Sequence, residues 1–213
     1  MWQRKDKQER GFVGYTREGT NEGRRYHLEV EMNKSELLDH YKYKHDTDPL
    51  FSKGSSLFKH VPYLARILKD YNVQSVLDYG CGKATWWNWP YMRATFDDWQ
   101  GKITLYDPAV PKYDKLPEGR FDLVLCTDVL EHIHPDDTLE VVDRLIKYTR
   151  RHLFCCIALT PAKKTFPDGT NFHINLKSQE EWEKLFEDRV KVYQESTNSY
   201  ITYKLSFNDK VFF

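Results

Sequence analysis

The chain has 213 residues, with 32 Lys+Arg against 32 Asp+Glu and 40% hydrophobic residues, which suits one α/β domain with a sizeable core and calls for no second full domain. A formal net charge of zero excludes a whole-molecule field for polyanions or anionic membranes. No apolar run reaches membrane-spanning length, and Met1 to Lys5 leads into polar residues rather than a signal-peptide core, so a cytoplasmic protein with no membrane partner is expected.

Residues 1 to 50 read as a polar N-terminal arm or lid, and residues 51 to 213 as the main domain. The arm carries Arg4, Lys5, Lys7, Arg10, Arg24 and Arg25, diluted by Asp6, Glu9, Glu18 and Glu22, where a nucleic-acid footprint needs a stripe of one sign. Asn33-Lys34-Ser35-Glu36 marks the start of a short helix. Leu57, Val61, Leu64, Ala65 and Leu68 then recur at helical spacing, with Pro62 tolerable in the first turn.

Next, Val76-Leu77-Asp78-Tyr79-Gly80-Cys81-Gly82-Lys83-Ala84 takes an apolar strand into an acid and straight on into a two-glycine loop. Glycine adopts backbone angles closed to other residues and lets a ligand approach the main chain. A helix starting just beyond would aim its N–H groups at an anionic group. The stretch Ala84 to Trp99 is helical in part, with Pro90 ending its first piece. Its tryptophans read as packing rather than as a base-stacking platform. Lys102 to Tyr106 forms a second strand ending at Asp107, where a ribose-binding carboxylate belongs. Only the short, Pro- and Gly-marked segment Pro108 to Arg120 separates it from the strand Phe121 to Thr127, which runs into Asp128-Val129-Leu130-Glu131-His132.

From Pro135 to Arg150 the chain reads as a helix burying Leu139, Val142, Ile146 and Thr149, with Asp136 and Asp137 at its start and Lys147 and Arg150 at its end. His152 to Thr160 is a near-continuous apolar strand, as the middle of a parallel sheet requires. A polar loop, Pro161 to Asn175, carries His173. Ser178 and Glu181 form a capping box, and two alternating strands, Val190 to Glu195 and Tyr200 to Phe207, close the chain. The four cysteines, Cys81, Cys126, Cys155 and Cys156, form neither a zinc pattern nor a disulfide framework, and the last two face opposite sides of a strand.

A G-x-G-x-x-G dinucleotide fingerprint would need a glycine at Thr85, which lowers a nicotinamide-binding reading. The two-glycine loop, the acid-ended second strand and the F-D strand running into D-x-L-E-H occur in that order. Together they make the chain similar to the class I S-adenosylmethionine-dependent methyltransferases over roughly Ser55 to Phe213. It departs from that family at Ala84, where the last loop glycine is usual, and between Pro108 and Arg120, where a helix and a third strand normally sit.

The resemblance implies a Rossmann-like, doubly wound α/β fold: a mostly parallel sheet with a C-terminal antiparallel hairpin and an abbreviated third-strand region. It implies S-adenosyl-L-methionine as cofactor, held by Asp78, Gly80, Cys81, Gly82, Asp107, Pro108, Asp114, Asp128, Val129 and Leu130. Asp107 would take the ribose hydroxyls, Asp114 the adenine amino group, and the backbone at 128–130 the methyl end. If the acceptor must lose a proton, His173 and His132 are the catalytic candidates. Metal is not expected, because His132, His134 and Asp136 lack the ligand spacing of zinc sites. The expected function is methyl transfer to a small-molecule, sugar-like or nucleotide-linked acceptor. Three alternatives stay open: a nucleic-acid or protein methyltransferase clamping with the arm, a non-catalytic cofactor-binding regulatory subunit, and a nicotinamide oxidoreductase. Nothing in the sequence assigns an oligomeric state.

Overall fold

A computed structural model describes residues 32–52, 55–96, 99–187, 192–196 and 200–206. The basic segment of the arm lies outside them. Six strands, β1 (Ser75–Tyr79), β2 (Lys102–Tyr106), β3 (Phe121–Thr127), β4 (Thr149–Ala158), β5 (Val192–Ser196) and β6 (Tyr200–Ser206), form one sheet in the order β2-β1-β3-β4-β6-β5. The pairs from β2 through β4 are parallel. Strand β6 pairs antiparallel with both β4 and β5, the terminal hairpin expected from sequence.

Both faces of the sheet are covered, so its strands are apolar on both sides. Leu77, Val124, Cys126, Leu153, Cys155 and Ile157 share one core cluster with Val142 and Leu145 of α4 (Thr138–Tyr148) and Trp182 and Phe186 of α5 (Gln179–Glu187). Val76, Leu123, Leu125, Phe154 and Cys156 share another with Val61, Leu64 and Leu68 of α2 (Val61–Asp70) and Met92 of α3 (Pro90–Phe96). Cys155 and Cys156 thus fall on opposite faces, as the two-residue period of a strand dictates.

The abbreviated region is an irregular bypass. Asp107 N–H donates to Tyr113 O, Val110 N–H to Asp107 O and Tyr113 N–H to Val110 O, so the chain turns on itself and reaches β3 with no third strand or helix between.

Three expectations need correction. The helix read from Pro135 to Arg150 is a short 3₁₀ turn, Pro135–Asp137, followed by α4, and it ends at Tyr148. Thr149 and Arg150 already belong to β4, where the Arg150 guanidinium bonds Asp122 Oδ1 at 2.9 Å and Arg120 O at 3.0 Å. The buried face is also rotated: Leu139 is 45% exposed, while Thr138, Val141, Val142 and Leu145 are buried. Beyond the glycine loop the chain forms a 3₁₀ turn, Thr85–Asn88, before α3 begins at Pro90. There is thus no regular helix N-terminus directly at the loop.

The helix anticipated near Asn33 is α1 (Lys34–Thr47), opened by a complete capping box between Asn33 and Glu36. It lies against the 161–175 loop: Met32, Leu37 and, partly buried, Tyr41 pack with Phe166, Phe172 and Ile174. Lys34 is ion-paired to Asp137.

Candidate functional site

The strand order reverses between β2-β1 and β3-β4, and ligands in open α/β sheets sit outside the carboxyl ends of the strands at such a point. A cavity of about 730 Å³ opens there, within the range that small-ligand sites occupy. Gly80 follows β1, Asp107 and Pro108 follow β2, Asp128 and Val129 follow β3, and His132 and His173 complete the wall; all seven line the cavity. Helix α1 contributes Leu37, Tyr41 and His45 to its lining.

The glycine loop is built by backbone constraint. Gly80 has φ +77 and Gly82 φ +55, and a Cβ at either would collide, with the Val129 Cγ atoms at the first and with Ser52 at the second. Only glycine fits without displacing the neighbouring chain. Ala84, where the family usually has its last loop glycine, also takes a left-handed conformation, φ 50. The loop is tied to the segment after α1, since Lys83 N–H donates to Ser52 O at 3.0 Å and Lys83 Nζ to Asp48 O at 2.7 Å.

Two buried acids stand behind this loop. Asp107 Oδ2 accepts from Gly82 N–H at 2.8 Å and Oδ1 from Ala109 N–H at 2.9 Å. Burial raises its pKa, against the pull of those N–H groups and of His45. Asp78 is 2% exposed and accepts from Trp87 Nε1 at 2.9 Å. Burial pushes its carboxyl up to about 7; the Trp87 bond opposes this, and the charge of Asp107 adds to it. Trp87 thereby serves as a strut for Asp78, and it stacks on the buried Trp86 with ring centroids 3.9 Å apart.

Asp78, Cys81, Gly82 and Leu130 form the layer beneath the wall rather than the lining itself. Cys81 is buried and its thiol pKa is raised, first by burial, so it is no nucleophile. Asp114 is exposed and lies away from the cavity lining. Asp128 holds φ 53, donates its N–H to Cys156 O at 2.8 Å and leaves Oδ1 buried without a hydrogen-bond partner.

The two histidine candidates meet although they are far apart in sequence. Their rings pack edge-on with centroids 4.9 Å apart. His132 Nδ1 lies 2.8 Å from Phe172 O and 2.9 Å from Tyr41 Oη, and His173 Nδ1 lies 2.5 Å from Thr160 O. A carbonyl only accepts, so each Nδ1 carries the proton and each Nε2 keeps its lone pair. Burial, then His173, pushes the pKa of His132 down to about 3, so it is neutral at neutral pH. His134 instead caps the following 3₁₀ turn, accepting from Asp136 N–H at 3.3 Å.

Sequence reasoning missed Tyr41 and His45, which reach the cavity from α1, and Glu131, which is fully buried and accepts Ala158 N–H at 3.1 Å. Only the E-H pair hinted at Glu131. Nothing local marks Tyr41 or His45, because their position depends on where α1 lands.

The donor set suits an adenosyl cofactor. There is a glycine cradle that a Cβ would fill, a buried carboxylate at the end of β2, and a cavity large enough for a nucleoside and an acceptor together.

Comparisons agree with this geometry. A family model described as "Methyltransferase domain" matches residues 53–189. None of the curated proteins matches the sequence. Among solved structures, an O-methyltransferase family protein from Burkholderia thailandensis superposes with a TM-score of 0.57 at 13% identity, covering 83% of this chain and 63% of that one. The chain thus spans less than two thirds of that relative's length. The 1,6-didemethyltoxoflavin-N1-methyltransferase of the same organism, solved with 1,6-didemethyltoxoflavin and S-adenosylhomocysteine, gives 0.53 at 16% identity, covering 84% of this chain and 92% of that one. The N-methyltransferase NodS from Bradyrhizobium japonicum, in complex with S-adenosylhomocysteine, gives 0.50 at 12% identity, covering 82% and 99%.

Proposed function

We propose that this chain, which belongs to the methyltransferase domain family and has the class I methyltransferase fold, transfers a methyl group from S-adenosylmethionine to a small-molecule acceptor, sugar-like or nucleotide-linked, bound beneath α1. The observation that carries the acceptor class is the size of the site: with α1 contributing Leu37, Tyr41 and His45 to its lining, the cavity measures about 730 Å³, room for a nucleoside and a small acceptor.

The bound cofactor supplies a methyl group on a sulfonium, which is intrinsically electrophilic. The protein's work is to hold, align and exclude water, and orientation alone can lower a barrier by about 7 kcal/mol. The Gly80–Gly82 loop is assigned the methionine end, with Asp78 behind it as countercharge. Asp107, already oriented by Gly82 and Ala109 N–H groups, is assigned the ribose hydroxyls. The backbone at Asp128 and Val129 lines the reacting side. His132, neutral and held by Phe172 O, is suited to accept a hydrogen bond from an acceptor O–H or N–H through Nε2. His173, anchored by Thr160 O, is suited to the same task from the loop after β4. Helix α1, in the described part of the N-terminal arm, is assigned the role of lid on the domain. The relative solved with both 1,6-didemethyltoxoflavin and S-adenosylhomocysteine is an example of a protein of this fold that binds a small acceptor.

Incubation with methyl-labelled S-adenosylmethionine and a fractionated cell extract tests the acceptor class. Label is expected in the low-molecular-weight fraction. Label confined to RNA, DNA or protein would overturn the small-molecule reading.

A further inference from the structure

Glu131, His132 and His173 each offer one ligating atom within 4.8 Å of the others, on one wall of the cavity. Glu131 brings a carboxylate with no solvent exposure. Both imidazoles spend Nδ1–H on a backbone carbonyl, His132 on Phe172 O at 2.8 Å and His173 on Thr160 O at 2.5 Å. Each therefore turns the Nε2 lone pair to what remains of its surroundings. Two imidazole lone pairs and a carboxylate are all electron-pair donors, the set that binds a first-row divalent ion.

A divalent cation can take a lone pair from each of the three at once. Carbonyl-anchored imidazoles are also the usual outer shell of metal-ligating histidine, since that hydrogen bond fixes the tautomer and the ring plane. A second observation points the same way: Asp128, on this wall, leaves Oδ1 buried with no hydrogen-bond partner.

We infer that Glu131, His132 and His173 form a binding site for a first-row divalent cation on the acceptor side of the cavity, with an open position that takes an oxygen of the acceptor. Two imidazoles and one carboxylate favour ions such as Co²⁺, Zn²⁺ or Mn²⁺ over Mg²⁺ and Ca²⁺, which prefer oxygen-only shells. Three ligands on bonds of about 2.1 Å to one ion sit roughly 3.0–3.6 Å apart, so atoms separated by as much as 4.8 Å need to draw together by about an ångström. The separation in sequence from His132 to His173, and the pairing of His132 with Glu131 rather than with His134, explain why ligand spacing gave no sign of it. The assignment of the open position to an acceptor rests on the methyl-transfer reading; the cation site itself does not. A hydroxyl placed there would lose its proton to water more readily, as metal-bound oxygen does, and would stay bound as the anion. The class of acceptor implied is an oxygen nucleophile.

The test is titration of Co²⁺ into chelator-treated, untagged full-length protein, read by d–d absorption, with calorimetry of S-adenosylmethionine binding run in parallel. One equivalent is expected to bind with nitrogen and oxygen ligation and no thiolate charge-transfer band. His173→Gln should weaken Co²⁺ binding at least tenfold and leave cofactor affinity within about twofold, in keeping with loss of one metal ligand. Should the double variant H132Q/H173Q fail to fold, the single His173→Gln substitution and the band of the parent protein still decide. Absence of a stoichiometric band in the parent, or undiminished binding by His173→Gln, overturns the site. Loss of cofactor binding in the parent protein would instead sink the methyl-transfer reading, whatever the Co²⁺ result.

Discussion

Asp107 sits at the end of β2 with both carboxylate oxygens engaged by backbone N–H groups. That arrangement aims the acid while leaving lone pairs for a diol. A hydrogen bond to a charged group contributes about 1.5–3 kcal/mol, so Asp107→Ala is expected to weaken S-adenosylmethionine binding roughly ten- to hundredfold. Unchanged affinity in calorimetry would refute its assignment to the ribose. Asp78 makes a different prediction. With its carboxyl at about 7 in the free protein, much of it is protonated below neutrality, and a cationic amino group binds best once the acid is ionised. Affinity for the cofactor should therefore climb as pH rises through 7 and then level off. In Asp78→Asn the climb should vanish; persistence of the same profile would assign the titration to another group.

At the level of elements, α1 is the piece whose placement most affects the site. Its exposed face is polar, and it is held by a capping box at Asn33, the Lys34 pair with Asp137, and the apolar contact of Leu37 and Tyr41 with the 161–175 loop. A helix held by so few contacts opens more readily than a core helix such as α5, where Trp182 and Phe186 are fully buried. Asn33→Ala removes the cap at a cost of about 1 kcal/mol. Faster amide exchange across residues 34–47 is expected, with β1–β4 unchanged. Equal exchange in variant and parent would mean that the cap does not govern this helix.

For the whole molecule, stability on the acid side follows from groups that the fold keeps out of water. His132 falls to about 3, through burial and His173, and His152 to about 4, through burial and Arg151. Against an ordinary histidine near 6.5, each contributes stability that is fully present above that pH and lost as pH falls toward the folded value, because the unfolded chain takes up the proton first. Asp78 acts in the opposite sense, since a raised carboxyl loses stability as pH rises from 3.8 to about 7. The two histidines together are displaced further than the one acid, so the melting temperature should drop between pH 6.5 and 4. His152→Phe should flatten that limb, because it keeps the ring packed on Tyr71 without a titratable nitrogen. A parent melting temperature that rises steadily toward pH 4 would contradict this.

The features legible in the sequence are those set by neighbours along the chain. Strand alternation, the helix start at Asn33, the capping box at Ser178 and Glu181, the two-glycine loop and an acid at the end of β2 each depend on a handful of consecutive residues, so they could be read in order. The limits of α4 could not, because the register in which Arg150 meets Asp122 turned the predicted last helical turn into strand. The packing of α1 beside the cavity, the meeting of Glu131 and His132 with His173 across the sheet edge, and the strut from Trp87 to Asp78 are contacts through space. Their existence depends on how the sheet is ordered and how the 161–175 loop folds back. No local propensity encodes such distances, since it is the packing of one element on another that creates them.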